Sequence, residues 1–175
     1  MPSMAQASLP ALEMTLNALS GILDKAEAYA AAKKVDASVL LNTRLAPDMF
    51  PLIKQVQVAT DLIKNGCSRL AGVEPPRYED TEKTVADLKA RLAKTVAYIK
   101  TLDRSKIDAS ADRPITFPLG PKMKGEMKGE DYLNHFVLPS VYFHVTTAYA
   151  ILRHVGVEIG KADYLAGSPM KISPQ

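Results

Sequence analysis

Cysteine occurs once among the 175 residues, as Cys67, so no internal disulfide framework can form and a reducing compartment is expected. Cys67 falls among apolar neighbours at a helix position, and a buried, inert thiol is the expectation. No window approaches the roughly 20 apolar residues that a membrane span requires. The opening MPSMAQASLP has neither a basic n-region nor a long apolar core, which points to a cytoplasmic protein without a membrane partner. The formal net charge is only +3. Lys122, Lys124 and Lys128 make the densest basic group, in a Gly/Met-rich loop without interleaved aromatics, so no nucleic-acid partner is expected. The chain also lacks HExxH, CxxC, Glu-x-x-His and G-x-S-x-G motifs and any glycine-rich loop that would cradle a phosphate.

What is abundant is helical periodicity. Leu9, Leu12, Leu16, Leu19, Leu23, Ala26 and Ala30 recur at spacings of three and four, predicting a first helix over 8–34 with Ser8 as N-cap and Pro10 in the first turn. A short turn over 36–44, capped by Asp36, should carry Val39, Leu40 and Leu41 onto the core. Met49, Leu52, Val56, Ala59, Ile63 and Leu70 predict a second helix over 48–71, with Asp48 as N-cap, Pro51 in the first turn, Gly66 at a close helix approach and Gly72 at the end. Val85, Leu88, Leu92, Val96, Ile99 and Leu102 define a third helix starting near Asp80 or Thr81, with Glu82 in its first turn. Its opposite face carries Lys83, Asp87, Lys89, Arg91 and Lys94, read as solvated, with Asp87 and Arg91 paired at i,i+4.

Between 103 and 129 the period changes to two. Ile115, Phe117 and Leu119, then Gly120-Pro121, then Met123 and Met127 read as a short hairpin, with Pro118 marking an edge strand. Residues 130–136 should add a helical lead-in, and 139–155 a fourth helix buried on most sides. Pro139 stands in its first turn and Gly156 at its left-handed end. This is an all-α fold, a four-helix bundle with a short β-hairpin between helices 3 and 4, in one domain over 1–165 followed by a flexible tail over 166–175.

The strings LAPDMFPLIKQVQVATD, DYLNHFVLP and YFHVTTAYAILRHVGVEIGKADYL resemble a domain-of-unknown-function family of short DinB/YfiT-like proteins, and the resemblance covers nearly the whole chain. It implies the DinB-like bundle and a homodimer. DinB-like relatives commonly hold a divalent metal through one histidine on helix 2 and two spaced by four on the last long helix, and some use it in thiol S-transfer or isomerisation. His144 matches one last-helix position, but Ala148 and Ser140 stand four residues away on either side, and helix 2 offers Gln55, Gln57 and Asp61. His144 and His154 are separated by about 15 Å of helical rise, too far to share one ion. No metal ligand set and no cofactor is therefore assigned, with a divalent metal as the alternative.

His144 remains the candidate catalytic residue, since a histidine among aromatics in a helix must bond something and titrates near neutrality. Gln57, Asp61, Tyr149 and Tyr132 are candidate binding partners for it. Arg44 and Asp48 flank Ala46-Pro47, where they would bind an anion or tie down a loop. Asp131 and His135 should form a local ion pair, and Arg153 with His154 should answer the helix dipole. Two functional readings follow. One is a bundle without the three-histidine metal site that binds a small molecule or a partner, with an apolar pocket lined by His144, Tyr149, Phe143 and Met49. The other is an enzyme of thiol S-transferase or isomerase type using His144 as metal ligand or general base.

Overall fold

The computed structural model describes residues 3–171. Its elements in chain order are α1 (Met4–Lys33), α2 (Ala37–Asn42), α3 (Leu52–Ala71), α4 (Val85–Lys100), α5 (Arg104–Asp108), β1 (Pro114–Leu119), β2 (Met123–Lys128), α6 (Gly129–Asp131), a π-helical turn (Tyr132–Val137), α7 (Leu138–His154) and α8 (Lys161–Tyr164). The four long helices α1, α3, α4 and α7 form the bundle, as expected. The expected tail runs past the last described residue, so its residues 172–175 lie outside the description.

The leucine stripe of α1 is fully buried, and the helix begins earlier than its leucines suggest. Ser3 caps it, accepting from Gln6 N at 3.3 Å, while Ser8 donates instead to the Met4 carbonyl at 2.7 Å. Ala5 is buried, so the apolar face starts one turn upstream of Leu9. Pro10 therefore lies inside the helix rather than in its first turn. It is tolerated because Pro10 and Gln6, whose carbonyl it leaves free, both face solvent. A second anchor for this end comes from far away in sequence: Asp108, at the end of α5, accepts from Ala5 N at 2.7 Å.

Two other helix starts differ from expectation. Pro51, not Asp48, occupies the N-cap of α3 and makes no side-chain cap bond. Helix α4 starts at Val85 with Thr84 and Asp87 in a reciprocal capping box, so Asp80, Thr81 and Glu82 belong to the preceding extended segment. In α2, Leu40 and Leu41 reach the core but Val39 is exposed, since three consecutive helical positions cannot all face one side.

The hairpin pairs antiparallel with Phe117 opposite Gly125, and Ile115 and Phe117 point inward. Phe117 packs on Tyr132 and Phe136, with ring centroids 4.7 and 4.5 Å apart, which fastens the hairpin to the π-helical turn. That turn absorbs Pro139 without breaking the rod: widening the helix just before a proline relieves the clash with the preceding carbonyls. Gly66 lets α3 meet the same turn, because a Cβ there would stand 2.8 Å from Val137 Cγ2. At the far end, Gly156 (φ 96°) closes α7, with Val157 N bonded to the Leu152 carbonyl and Gly156 N to that of Arg153.

Candidate functional site

Helix α3 carries Gln55 on the side that faces α7, and there it meets His144, whose Nδ1 lies 2.7 Å from Gln55 Oε1. Gln55 Nε2 in turn donates to the Phe50 carbonyl at 3.0 Å. Only the NH2 end of a carboxamide can donate to a carbonyl, so the oxygen is the end left for the imidazole. His144 Nδ1 therefore carries the proton and Nε2 keeps its lone pair. Burial pulls the His144 pKa below the ordinary histidine value, which favours this neutral ring. Phe143 meets the imidazole edge-on, with centroids 5.2 Å apart.

Gln57 and Asp61, expected across the bundle from His144, are placed on the other side of α3. Two residues along a helix turn the side chain by about 200°, so Gln55 and Gln57 cannot both face α7. Gln57 Nε2 donates to Glu82 at 2.8 Å, and Asp61 accepts from Arg91 Nη2 at 3.0 Å. Arg91, expected on the solvated face beside Asp87, is instead buried between α3 and α4. Its Nε donates to Thr60 Oγ1 at 2.8 Å and its Nη1 to the Glu79 carbonyl and Glu82, both within 3.1 Å, with Asp80 also at 3.1 Å. Lys64 pairs with Asp61 and donates to the Pro76 carbonyl. Tyr78 receives Lys64 and Lys94 Nζ at 4.2 Å from its ring centroid. These contacts fasten the extended segment 72–84 across the bundle. Burial opposes the charge on Glu82, but hydrogen bonds from Arg91 and Gln57 outweigh it and hold the carboxyl below its ordinary pKa.

The remaining candidates are separated. Tyr132 is buried, stacks on Phe136 and accepts from Arg69 Nη1 at 3.2 Å, which makes it core structure. Arg44 donates to the Met49 carbonyl, tying down the loop, and Asp48 is exposed in the same turn. Asp131 and His135 form the expected exposed pair at 3.8 Å. Cys67 is buried, and burial pushes its thiol pKa up to about 12, leaving no thiolate near neutrality.

The fourth helix was expected to be buried on most sides, but Phe143 on it is 58% exposed. With Leu45, Pro139, Tyr142, Thr146, Thr147 and Ala150 it lines an open groove of about 440 Å³ along the outside of α7. A neighbouring cleft of about 210 Å³ lies between Thr146, Tyr149, Lys161 and Tyr164. The expected pocket of His144, Tyr149, Phe143 and Met49 is thus divided: Phe143 lines the groove, Tyr149 lines the cleft, and His144 turns inward to Gln55. The signal for this surface was present in the sequence, since no Lys, Arg, Asp or Glu occurs from Leu138 to Leu152. Burial on all sides and an uncovered apolar face leave the same pattern.

One imidazole and one carboxamide do not make a metal site of the kind the fold implies, which takes three protein ligands at bonding distance. Among the described residues, no group of three or more His, Cys, Asp or Glu side chains could hold an ion. The donors present at the α3–α7 contact do not fit a metal.

Four long helices with an antiparallel hairpin before the last of them make a helical fold of the DinB-like kind. The family described as Domain of unknown function (DUF1993) matches residues 4–165, and the chain belongs to it. The chain is also similar to a DinB family member protein from Shewanella denitrificans, whose crystal structure superposes with a TM-score of 0.85 at 41% identity, covering 94% of this chain and 93% of that one. No curated protein matches the chain. Among the described residues, no helix is long and apolar enough to cross a membrane.

Proposed function

We propose that this chain is a metal-free, cytoplasmic binding protein of the DinB-like class that works as a homodimer. It takes a small apolar molecule or a protein partner, with no nucleic acid or membrane among its partners, on the outer face of α7. The observation that supports this reading is that face itself: four helical turns without a charged side chain, with Phe143 and Tyr142 exposed beside Leu45. Surface helices of a protein with 23% charged residues normally carry charge outward, and an uncovered aromatic face marks a binding surface. The direct experiment is a titration with the apolar dye ANS, read by fluorescence and by thermal shift. Saturable binding that stabilises the fold and weakens in Phe143→Ala is expected; no saturable binding contradicts the reading.

A second reading is favoured by the tautomer of His144. A neutral imidazole with Nδ1–H held by an amide and Nε2 unprotonated is the form a general base requires, and thiol S-transfer or isomerisation needs a proton removed from a thiol or carbon acid. In that case His144→Ala abolishes turnover of a thiol substrate while the circular dichroism spectrum is unchanged.

A further inference from the structure

The carboxamide of Gln55 can meet His144 either way round, and what fixes its direction lies outside the pair. Flipped, it would offer Nε2 to the imidazole, shift the ring proton from Nδ1 to Nε2, and set Oε1 against the Phe50 carbonyl, two acceptors face to face. Gln55 is 1% exposed, so solvent does not reach it to relieve that clash. The Phe50 carbonyl therefore decides the tautomer. Phe50 lies in the irregular stretch before α3, and its ring, 51% exposed, has too little packing to aim that carbonyl. Two other constraints aim it. Pro51 confines Phe50 to extended backbone, which limits its ψ. Arg44 Nη1 donates to the Met49 carbonyl, and because the Met49–Phe50 peptide is planar, holding its oxygen also holds Phe50 N. The stretch is closed by Leu52 N on the Thr43 carbonyl at 2.9 Å and by Met49 N on that of Ala46 at 3.0 Å, which leaves the orientation of the Met49–Phe50 peptide to Arg44.

We infer that Arg44 is a positioning residue for His144: through the Met49–Phe50 peptide, the Phe50 carbonyl and the Gln55 carboxamide, it holds the imidazole as the Nδ1–H tautomer with Nε2 bare. This rests on the reading of His144 as a general base and names the residue that poises it. Arg44 touches neither the imidazole nor anything bound to it, so its effect is carried entirely by the orientation of two backbone carbonyls and one side-chain amide. An unconstrained neutral histidine prefers the proton on Nε2, so the Nδ1–H form is the mark of an imposed partner. A role confined to tying down the loop would leave that mark unchanged when Arg44 is removed.

Long-range proton–nitrogen NMR of the 15N-labelled full chain, in mildly alkaline buffer where the ring is neutral, tests it. The bare ring nitrogen resonates far downfield of the N–H nitrogen, and the exposed His135 and His154 serve as controls in the same spectrum. In the wild type, the downfield nitrogen of His144 is expected to be Nε2. In Arg44→Ala, whose side chain is exposed, the separation between the two His144 nitrogens should shrink or reverse while the circular dichroism spectrum and the two control histidines stay the same. Arg44→Lys, which keeps a donor for the Met49 carbonyl, should restore it. Gln55→Glu offers only acceptors, so in that background Arg44→Ala should leave the proton on Nδ1. A proton on Nε2 in the wild type, an Arg44→Ala spectrum like that of the wild type, or an equal effect of Arg44→Ala with Gln55→Glu overturns the proposal. The expected spectra in a protein that turns over no thiol substrate would defeat the general-base reading and spare the positioning role. Turnover lost in His144→Ala, with a tautomer indifferent to Arg44, would do the reverse.

Discussion

Helix α3 makes buried polar contacts on two sides, and the two differ in kind. Toward α4, Arg91 is met by Thr60, Asp61, the Glu79 carbonyl, Asp80 and Glu82. Toward α7, one neutral imidazole meets one carboxamide, and a ring nitrogen is left with its lone pair. Charges inside a bundle demand saturation because an unpaired one is costly, so the Arg91 cluster is finished and acts as a clasp. A neutral pair tolerates incompleteness. Chemistry or recognition is therefore to be sought on the α7 side, although the α4 side holds more titratable groups and a cavity of about 470 Å³.

Breaking the charged side should have the largest effect. Arg91→Met leaves Asp61 and Glu82 without their buried partner and should cost about 3–5 kcal/mol, read from urea unfolding. Gly66→Ala presses a methyl into Val137 and should cost about 1–3 kcal/mol, which tests how tightly α3 is held against the turn that leads into α7. Breaking the neutral pair with His144→Leu leaves the buried Gln55 Oε1 without a donor and should cost about 1–3 kcal/mol, less than the loss of a buried charge partner. A loss as large as that of Arg91→Met would show that the two sides are alike.

Acid sharpens the same contrast by separating the two contacts in pH. The Glu82 pKa is lowered on folding from an ordinary 4.5, so its stabilisation is complete above that value and is lost as pH falls through the folded one. Glu82→Gln should flatten that limb of the stability curve. The His144 pKa is also lowered, from 6.5, because the folded protein favours the neutral ring. Its contribution is complete above 6.5 and fades as pH drops below it. His144→Leu should remove a shallow slope there and leave the Glu82 limb intact.

The bundle was legible because its signals are local: leucines at helical spacing, alternation in Ile115, Phe117 and Leu119, and Gly156 after the last long helix. Arg91 was not, because an arginine beside Asp87 and Lys94 looks solvated until the segment 72–84 folds over it. The choice of Gln55 over Gln57 depends on the rotation of α3 about its axis, which apolar spacing defines only to within a wide face. Helix α5 escaped because Asp108 and Ala5, whose contact anchors it, are 103 residues apart. The fourth helix was expected to be buried on most sides because an apolar stripe reads alike whether or not the chain covers it, and Phe143 lies on the uncovered side.

The central claim is that the neutral α3–α7 contact works without a metal. It is tested most directly by elemental analysis of protein purified without chelator, alongside His144→Ala. The account predicts no stoichiometric zinc, nickel, manganese or iron in either protein. Stoichiometric metal in the wild type, lost in His144→Ala, would contradict it.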